Sequence, residues 1–174
     1  HGPSREGDNL YSCSLVVLDP DTGKLKWHYQ FTPHDVHDYD ATEVPILADL
    51  PINGQTRKAV LFANRNGFYY TLDRLTGKVI VAKPFVQTTW AKSIDAQGRP
   101  MLETGHTPDE KGERTCPDLT GGTNFWPPSY DPRTRLFFVF LSLATLSAWA
   151  QDAILEPFGA DTFGLSMGQT TRFN

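Results

Sequence analysis

One short pattern occurs twice, 54 positions apart, and it limits the folds open to this chain more than any other feature. Leu15-Val16-Val17-Leu18 is an apolar run that ends at the turn Asp19-Pro20-Asp21-Thr22-Gly23. Lys24-Leu25-Lys26-Trp27-His28-Tyr29 follows with alternating polar and apolar residues. The same arrangement returns at Tyr69-Tyr70-Thr71-Leu72, Asp73-Arg74-Leu75-Thr76-Gly77 and Lys78-Val79-Ile80-Val81, so that Asp19, Thr22, Gly23 and Lys24 match Asp73, Thr76, Gly77 and Lys78. Strand, tight turn and strand is the reading of each copy. A weaker copy runs from Asp131-Pro132-Arg133-Thr134-Arg135 into Leu136-Phe137-Phe138-Val139. A hairpin repeated at about 50 residues is the mark of a propeller blade, a small sheet that needs a neighbour on each side to bury both faces. Propellers close with at least about four blades. The expected fold is therefore all-β, a partial β-propeller of about three incomplete blades, with residues 1–174 as a single partial domain and the chain a piece of a longer polypeptide.

Composition agrees with strands and turns. Gly and Pro supply 14 and 13 of the 174 residues, which favours many turns over long helices. With 39% hydrophobic residues, a net charge of -4 and a pI near 5.7, the chain is ordinary globular material without a basic face for a phosphate backbone; nucleic acid is not an expected partner. Residues 1–6 do not form a signal peptide. Residues 136–150 are apolar and end Ala148-Trp149-Ala150, but 15 residues with several hydroxyls are too few to span a bilayer, and one or two buried strands are expected there. Cys13 and Cys116 allow one bridge; free, buried thiols are the expectation.

Three polar segments, residues 32–40, 87–99 and 104–129, separate the hairpins, and strandless segments of that length are functional or disordered. The first, Thr32-Pro33-His34-Asp35-Val36-His37-Asp38-Tyr39-Asp40, carries three carboxylates and two imidazoles. In an extended chain Asp38 and Asp40 point to one side. Paired carboxylates suit a hard cation, and one of them can take a proton from a substrate. Composition alone equally describes a solvated loop whose Asp residues cap turns, with His34 and His37 structural. Near the second hairpin, Arg65 lies between Asn64 and Asn66 and can present a guanidinium to carboxylates or quinone oxygens; the alternative is an Asn66-Gly67 turn with Arg65 facing solvent. In Cys116-Pro117-Asp118-Leu119-Thr120-Gly121-Gly122-Thr123-Asn124-Phe125-Trp126, the glycines permit close approach of a ligand, Asn124 offers donor and acceptor, and Trp126 an apolar wall. The alternative is a glycine turn with a core Trp. Phosphate-binding glycine loops, nucleophile elbows and metalloprotease helices do not appear.

Taken together, Gly7-Asp8-Asn9-Leu10-Tyr11-Ser12, the first hairpin through Trp27, residues 33–40, Asn64-Arg65-Asn66-Gly67, and Gly121-Gly122-Thr123-Asn124 leading to Ser129-Tyr130-Asp131-Pro132 resemble the quinoprotein alcohol dehydrogenases that use pyrroloquinoline quinone (PQQ). The resemblance covers nearly the whole chain. It implies an eight-bladed propeller of four-stranded blades, with the cofactor near the central axis and Ca2+ or a lanthanide ion beside it. It implies that Asp38 is the catalytic base and a metal ligand, that Arg65 and Asn124 contact PQQ, and that Asp40 is the extra metal carboxylate of lanthanide-using members. It further implies a small alcohol as substrate, cytochrome c as electron acceptor, and a periplasmic location. Sugar quinoproteins also carry Asp at position 40 but usually Lys at 65, so Arg65 favours the alcohol branch; a non-catalytic propeller scaffold is the other alternative.

The sequence departs from the family pattern in places. His37 stands where the family usually has Trp, Val81 where the Trp27 position would repeat, and the downstream Cys that often pairs with the one at Cys116 is missing. The match is loose from residue 141 and returns at Glu156-Pro157-Phe158. In the family, the metal-binding Glu and Asn, an adjacent-cysteine disulfide and a stacking Trp precede the segment matching Gly7. The 174 residues are thus expected to be a central slice, inactive by itself.

Overall fold

In the computed structural model, residues 4–105, 107–110 and 112–139 are described, all within one compact unit, His1–Ser142. Ten strands and no α-helix occur among them: β1 (Ser14–Leu18), β2 (Leu25–Gln30), β3 (Ile46–Ile52), β4 (Gln55–Ala63), β5 (Phe68–Asp73), β6 (Val79–Pro84), β7 (Ala91–Ile94), β8 (Pro100–Leu102), β9 (Ser129–Asp131) and β10 (Leu136–Phe138). All pairings are antiparallel. Strands β3-β4-β5-β6 form one four-stranded sheet, and β1-β2, β7-β8 and β9-β10 are two-stranded. The fold is all-β, a partial propeller in which the middle blade is whole and its companions are pairs of strands.

The repeated turns share one chemistry. Asp19 Oδ1 accepts from the amides of Asp21 and Thr22 at 3.2 and 3.1 Å and from the Thr22 hydroxyl at 3.0 Å. Asp73 Oδ1 does the same for Leu75 and Thr76, each bond between 3.0 and 3.1 Å. Gly23 and Gly77 then take φ of +67° and +74°, a left-handed conformation that glycine adopts without a Cβ penalty. In the third copy Asp131 accepts from the Arg133 amide and the Thr134 hydroxyl, both at 2.9 Å, and Arg135 must take φ +62° where the others have glycine. The Asp, Thr and left-handed residue are therefore a side-chain-capped turn, which explains their fixed spacing.

The middle blade is covered on both faces, as a blade must be. Val60, Phe62, Phe68, Tyr70 and Leu72 point to one side and pack with Tyr29, Phe31, Tyr39 and Trp90. Ala59 and Leu61, the alternate residues of β4, pack with Ala48 on the other, against Ile46, Tyr69, Tyr130 and Phe137. Trp27 of β2 lies on the β5-β6 turn. A Cβ on Gly77 would come within 2.6 Å of its ring, and its Nε1–H donates to Arg74 O at 3.2 Å. The glycine of one repeat is thus also the floor on which the preceding repeat's Trp rests.

Two expectations change. Residues 87–99 are not strandless: Ala91-Lys92-Ser93-Ile94 forms β7, and Asp95 caps the following turn by accepting from the Gln97 and Arg99 amides at 2.9 and 2.8 Å. An alternation only four residues long was hidden in polar surroundings. Within residues 136–150, β10 supplies one short, half-buried strand; residues 140–150 lie outside the described residues, as does Glu156-Pro157-Phe158. Cys13 and Cys116 are both free and half-buried.

Candidate active site

Three of the sequence-selected segments meet at one end of the middle blade. The β4-β5 turn, residues 64–67, is fixed from inside. The Asn66 amide donates to Phe31 O, Thr32 Oγ1 and Tyr70 OH at 3.2, 3.3 and 3.1 Å, and Asn66 Oδ1 accepts from the Phe68 amide at 3.0 Å. Trp90 Nε1–H donates to Asn66 O at 2.8 Å. Asn66 is fully buried, so this turn is clamped to residues 31–32, where the acidic segment starts. Gly67 has φ +91°, the left-handed position that an Asn-Gly turn requires.

The second clamp joins the acidic segment to residues 116–124. Tyr39, fully buried, donates its hydroxyl to Pro117 O at 2.6 Å. Asp35 accepts from the amides of His37 and Tyr39 at 2.9 and 2.7 Å, so it is the residue that shapes this loop. His34 Nδ1 lies 2.9 Å from Gly7 O, and the His37 ring stacks on Tyr39 at 5.1 Å; the two imidazoles are structural here. The third clamp closes the set. Gly122 N–H donates to Arg65 O at 2.9 Å, the Arg65 guanidinium donates to Leu119 O, and a Cβ on Gly121 would meet Arg65 Cγ at 2.1 Å. The glycine pair lets this loop close over Arg65.

Arg65 does not face solvent: its side chain is only 12% exposed, with Nη2 at 3.5 Å from Asp38 Oδ2 and Nη1 at 3.8 Å from Asp40 Oδ2. The carboxylates themselves are 61% and 57% exposed. Both reach one guanidinium, but the extended chain expected to point them to one side is absent, since Asp38 has φ +64°. A left-handed conformation at a residue without glycine's freedom is uncommon and gathers at functional positions. At these distances the ion pairs are loose, and Arg65 is anchored instead by a backbone carbonyl. The result is a fixed cation beside two accessible carboxylates.

Asn124 comes two residues after the glycine pair. Its amide donates to Thr120 O at 2.9 Å and its oxygen accepts from the Phe125 amide at 2.9 Å, so its hydrogen bonds stay within its own loop. Trp126 stacks on Phe125 at 5.0 Å. Asp38, Asp40 and Arg65 are in mutual reach, whereas Asn124 is joined to them through its loop rather than by direct contact.

A third group of possible ligands, Cys13, Asp35 and Asp40, has atoms within 4.8 Å of one another. Burial pushes the Cys13 thiol up to about 12, with the Asp35 charge adding to the shift, which favours a protonated thiol 3.5 Å from Asp35 Oδ2. Asp35 is also occupied by two amides.

Sequence reasoning missed Asn66 as the keystone of the turn, and it missed Glu43. The latter is 6% exposed, neither of its oxygens has a hydrogen-bond partner, and burial raises its pKa to about 8 against the opposing pull of the nearby Arg65 charge. Its signal was an acid immediately before the apolar run Val44-Pro45-Ile46-Leu47.

Comparison with known proteins matches these features. The family model "PQQ: Glucose/ethanol/alcohol dehydrogenase, beta-propeller domain" covers residues 1–104. A second model, "PUCC protein", covers residues 105–174, less than half of the chain. A quinohemoprotein alcohol dehydrogenase of Comamonas testosteroni is 47% identical over 133 residues, 76% of this chain and 19% of that protein. The 1-butanol dehydrogenase (cytochrome c) of Thauera butanivorans is 44% identical over 133 residues, again 76% of this chain and 19% of that protein. Among solved structures, a europium-containing methanol dehydrogenase superposes with TM-score 0.76 and 39% identity over 79% of this chain and 24% of that chain. The chain spans about a fifth to a quarter of the length of these relatives. Alignments of 133 residues necessarily pass residue 104, and the bonds from Tyr39 to Pro117 and from Gly122 to Arg65 tie residues 116–124 into the propeller piece. On the family model, the identities and the fold together, the chain belongs to the PQQ-dependent glucose/ethanol/alcohol dehydrogenase β-propeller family.

Proposed function

We propose that the whole protein to which these residues belong oxidises alcohols to aldehydes or ketones with PQQ, assisted by Ca2+ or a lanthanide ion. The observation that carries this reading is the largely shielded Arg65 beside two exposed carboxylates, Asp38 and Asp40. The residues fit the cofactors in kind. Two carboxylates on one side give a hard cation part of its oxygen shell, and a cation such as Ca2+ needs about six to eight oxygens, so further ligands come from outside this segment. PQQ when bound supplies the hydride acceptor, and the metal a Lewis acid.

The chain's own residues supply orientation and charge. Asp38 takes the hydroxyl proton of the substrate as general base. Arg65, anchored to Leu119 O, keeps N–H groups directed at developing negative charge, and such donors are most effective when they need not reorganise. Asp38 and Asp40 would hold the metal, and Asn124 would offer the cofactor the amide N–H that its loop bond to Thr120 O leaves over. Electrons pass to a cytochrome c, in keeping with the name of the Thauera relative, and the enzyme works in the periplasm. Arg at position 65 supports alcohols over sugars. A scaffold without chemistry has no use for a shielded guanidinium beside open carboxylates.

The test is dye reduction by the full-length protein with a primary alcohol after loading with PQQ and Ca2+ or La3+. Alcohol-dependent turnover that needs both additions is expected. PQQ binding without turnover on alcohols, sugars or polyols would overturn the assignment.

A further inference from the structure

We propose that the cleft lined by Asp38, Val36, His37, Pro108, Pro117 and Leu119 receives the carbon chain of the substrate, and that the Leu119 side chain sets which alcohols are accepted. The inference rests on the function proposed above, since Asp38 is the base of that reaction. It names the substrate class as neutral alcohols with an alkyl chain of several carbons.

Asp38 lines two clefts. One, of about 300 Å3, also holds Arg5, Cys13, Asp35 and Asp40; its walls are mostly polar or charged, and Asp40 makes it the side of the cation. The other, of about 350 Å3, shares only Val36 and Asp38 with the first. Ligand pockets fall at about 300–1,000 Å3, so each has room for a small molecule. An alcohol that brings its hydroxyl to Asp38 can lay its chain in either. In the second cleft the two prolines, Leu119 and Tyr39 supply apolar surface, whereas the first offers a chain little besides Val36 among its carboxylates. An alkyl chain gains by leaving water for the former and not for the latter.

The second cleft is also held in shape. The His37 ring stacks on Tyr39 at 5.1 Å, and Tyr39 donates to Pro117 O at 2.6 Å, so two of its walls are tied together. Leu119 is fixed at its backbone, where its carbonyl accepts from the Arg65 guanidinium, yet the residue is 64% exposed. A pinned main chain thus presents an open apolar side chain in the same cleft as the base. Charge selects as well. Glu113 and Asp118 share the lining with Asp38, so a substrate carboxylate would meet three others, and like charges brought together are unfavourable.

The experiment uses the full-length protein loaded with PQQ and Ca2+ or La3+, with Leu119→Trp to fill this cleft and Ser12→Trp to fill the other, which Ser12 also lines. The readout is the ratio of kcat/KM for n-hexanol to that for ethanol. Leu119→Trp should lower the ratio by at least about fivefold, and Ser12→Trp should change it by less than about twofold. A general loss through Arg65 affects both alcohols and cancels in the ratio. Equal losses on the two alcohols in Leu119→Trp, or a shift in Ser12→Trp as large as in Leu119→Trp, would overturn the assignment. The ω-hydroxy acid of the same chain length should react at least about tenfold less well than n-hexanol; parity would overturn the selection against charge. Binding is read separately with tert-amyl alcohol, which has no hydrogen on its carbinol carbon to give up. Saturation-transfer NMR should show it bound to the wild type and weakened at least about fivefold in Leu119→Trp, whereas binding unchanged within about twofold would overturn the cleft. If Leu119→Trp does not fold, Leu119→Asn, similar in size but polar, takes its place in both assays. A wild-type protein that oxidises no alcohol would sink the proposed function, and the NMR comparison would still decide the cleft.

Discussion

Asn66→Ala is the change that should cost this fold most for the fewest atoms removed. The Asn66 side chain accepts from the Phe68 amide at 3.0 Å, and it donates to Phe31 O, Thr32 Oγ1 and Tyr70 OH at 3.1–3.3 Å. All of this is buried, so water cannot replace it without entering the aromatic core. One firm bond lost to a buried amide costs about 1–3 kcal/mol, and the longer, shared bonds add a fraction each. A total near 3 kcal/mol, on the order of a hundredfold in the unfolding constant, is expected. Urea unfolding of the full-length protein measures it, and Trp90, whose Nε1 donates to Asn66 O, gives a local fluorescence signal. Asn66→Asp keeps the acceptor for Phe68 but loses the donor and brings a carboxyl group into the core, so it should be at least as damaging. A loss below about 1 kcal/mol in Asn66→Ala, or a well-tolerated Asn66→Asp, would refute the claim that this side chain clamps the Arg65 turn.

Three further outcomes follow from the same structure. Gly77→Ala should destabilise by about 1–3 kcal/mol, because the new Cβ meets the Trp27 ring and φ is +74°; a neutral Gly77→Ala in thermal unfolding would show that Trp27 does not rest on that turn. Glu43 is held neutral in the fold and ionises freely when unfolded, so the stability it favours is present at pH below about 4.5 and falls as pH rises towards about 8, with a slope approaching ~1.4 kcal/mol per pH unit. Glu43→Gln should flatten that part of the stability profile, and an unchanged profile would contradict the buried neutral acid. A chain limited to these 174 residues should bind PQQ no tighter than about 1 μM, measured by fluorescence titration, since other parts of the family's cofactor cage are not in it; submicromolar affinity would contradict this.

Much of the architecture was legible because it repeats. Asp, Thr and Gly at fixed spacing form a capped turn whose bonds are local, and a local motif survives transfer from chain to structure. The Trp27 contact with Gly77 was only half visible: the resemblance runs through Trp27 as a family position, but nothing in one sequence says that its floor is the matching glycine one repeat later. The candidate site was legible in its residue types, Asp38, Asp40 and Arg65, and not in its geometry. Extended backbone was the wrong route to one-sided carboxylates, because Asp38 takes a left-handed conformation while Asp35 collects the loop's amides. Arg65 looked as much like a solvent-facing turn residue as a site residue. What buries it is a loop more than fifty positions away, closing over it through Gly121 and Gly122, and such long-range packing leaves no local pattern. Glu43 left only a faint mark, an acid before an apolar run, and its burial, like that of Arg65, is settled by packing beyond its own segment.

The central claim is that one carboxylate beside a fixed guanidinium takes the substrate proton, and Asp38→Asn in the full-length protein tests it most directly. Two signals are read on the same sample, the absorbance of bound PQQ and alcohol-dependent dye reduction. The account predicts that PQQ remains bound and turnover falls by at least about a thousandfold, within the usual range for loss of a general base. A variant that holds PQQ and keeps turnover within about tenfold of the wild type would contradict it.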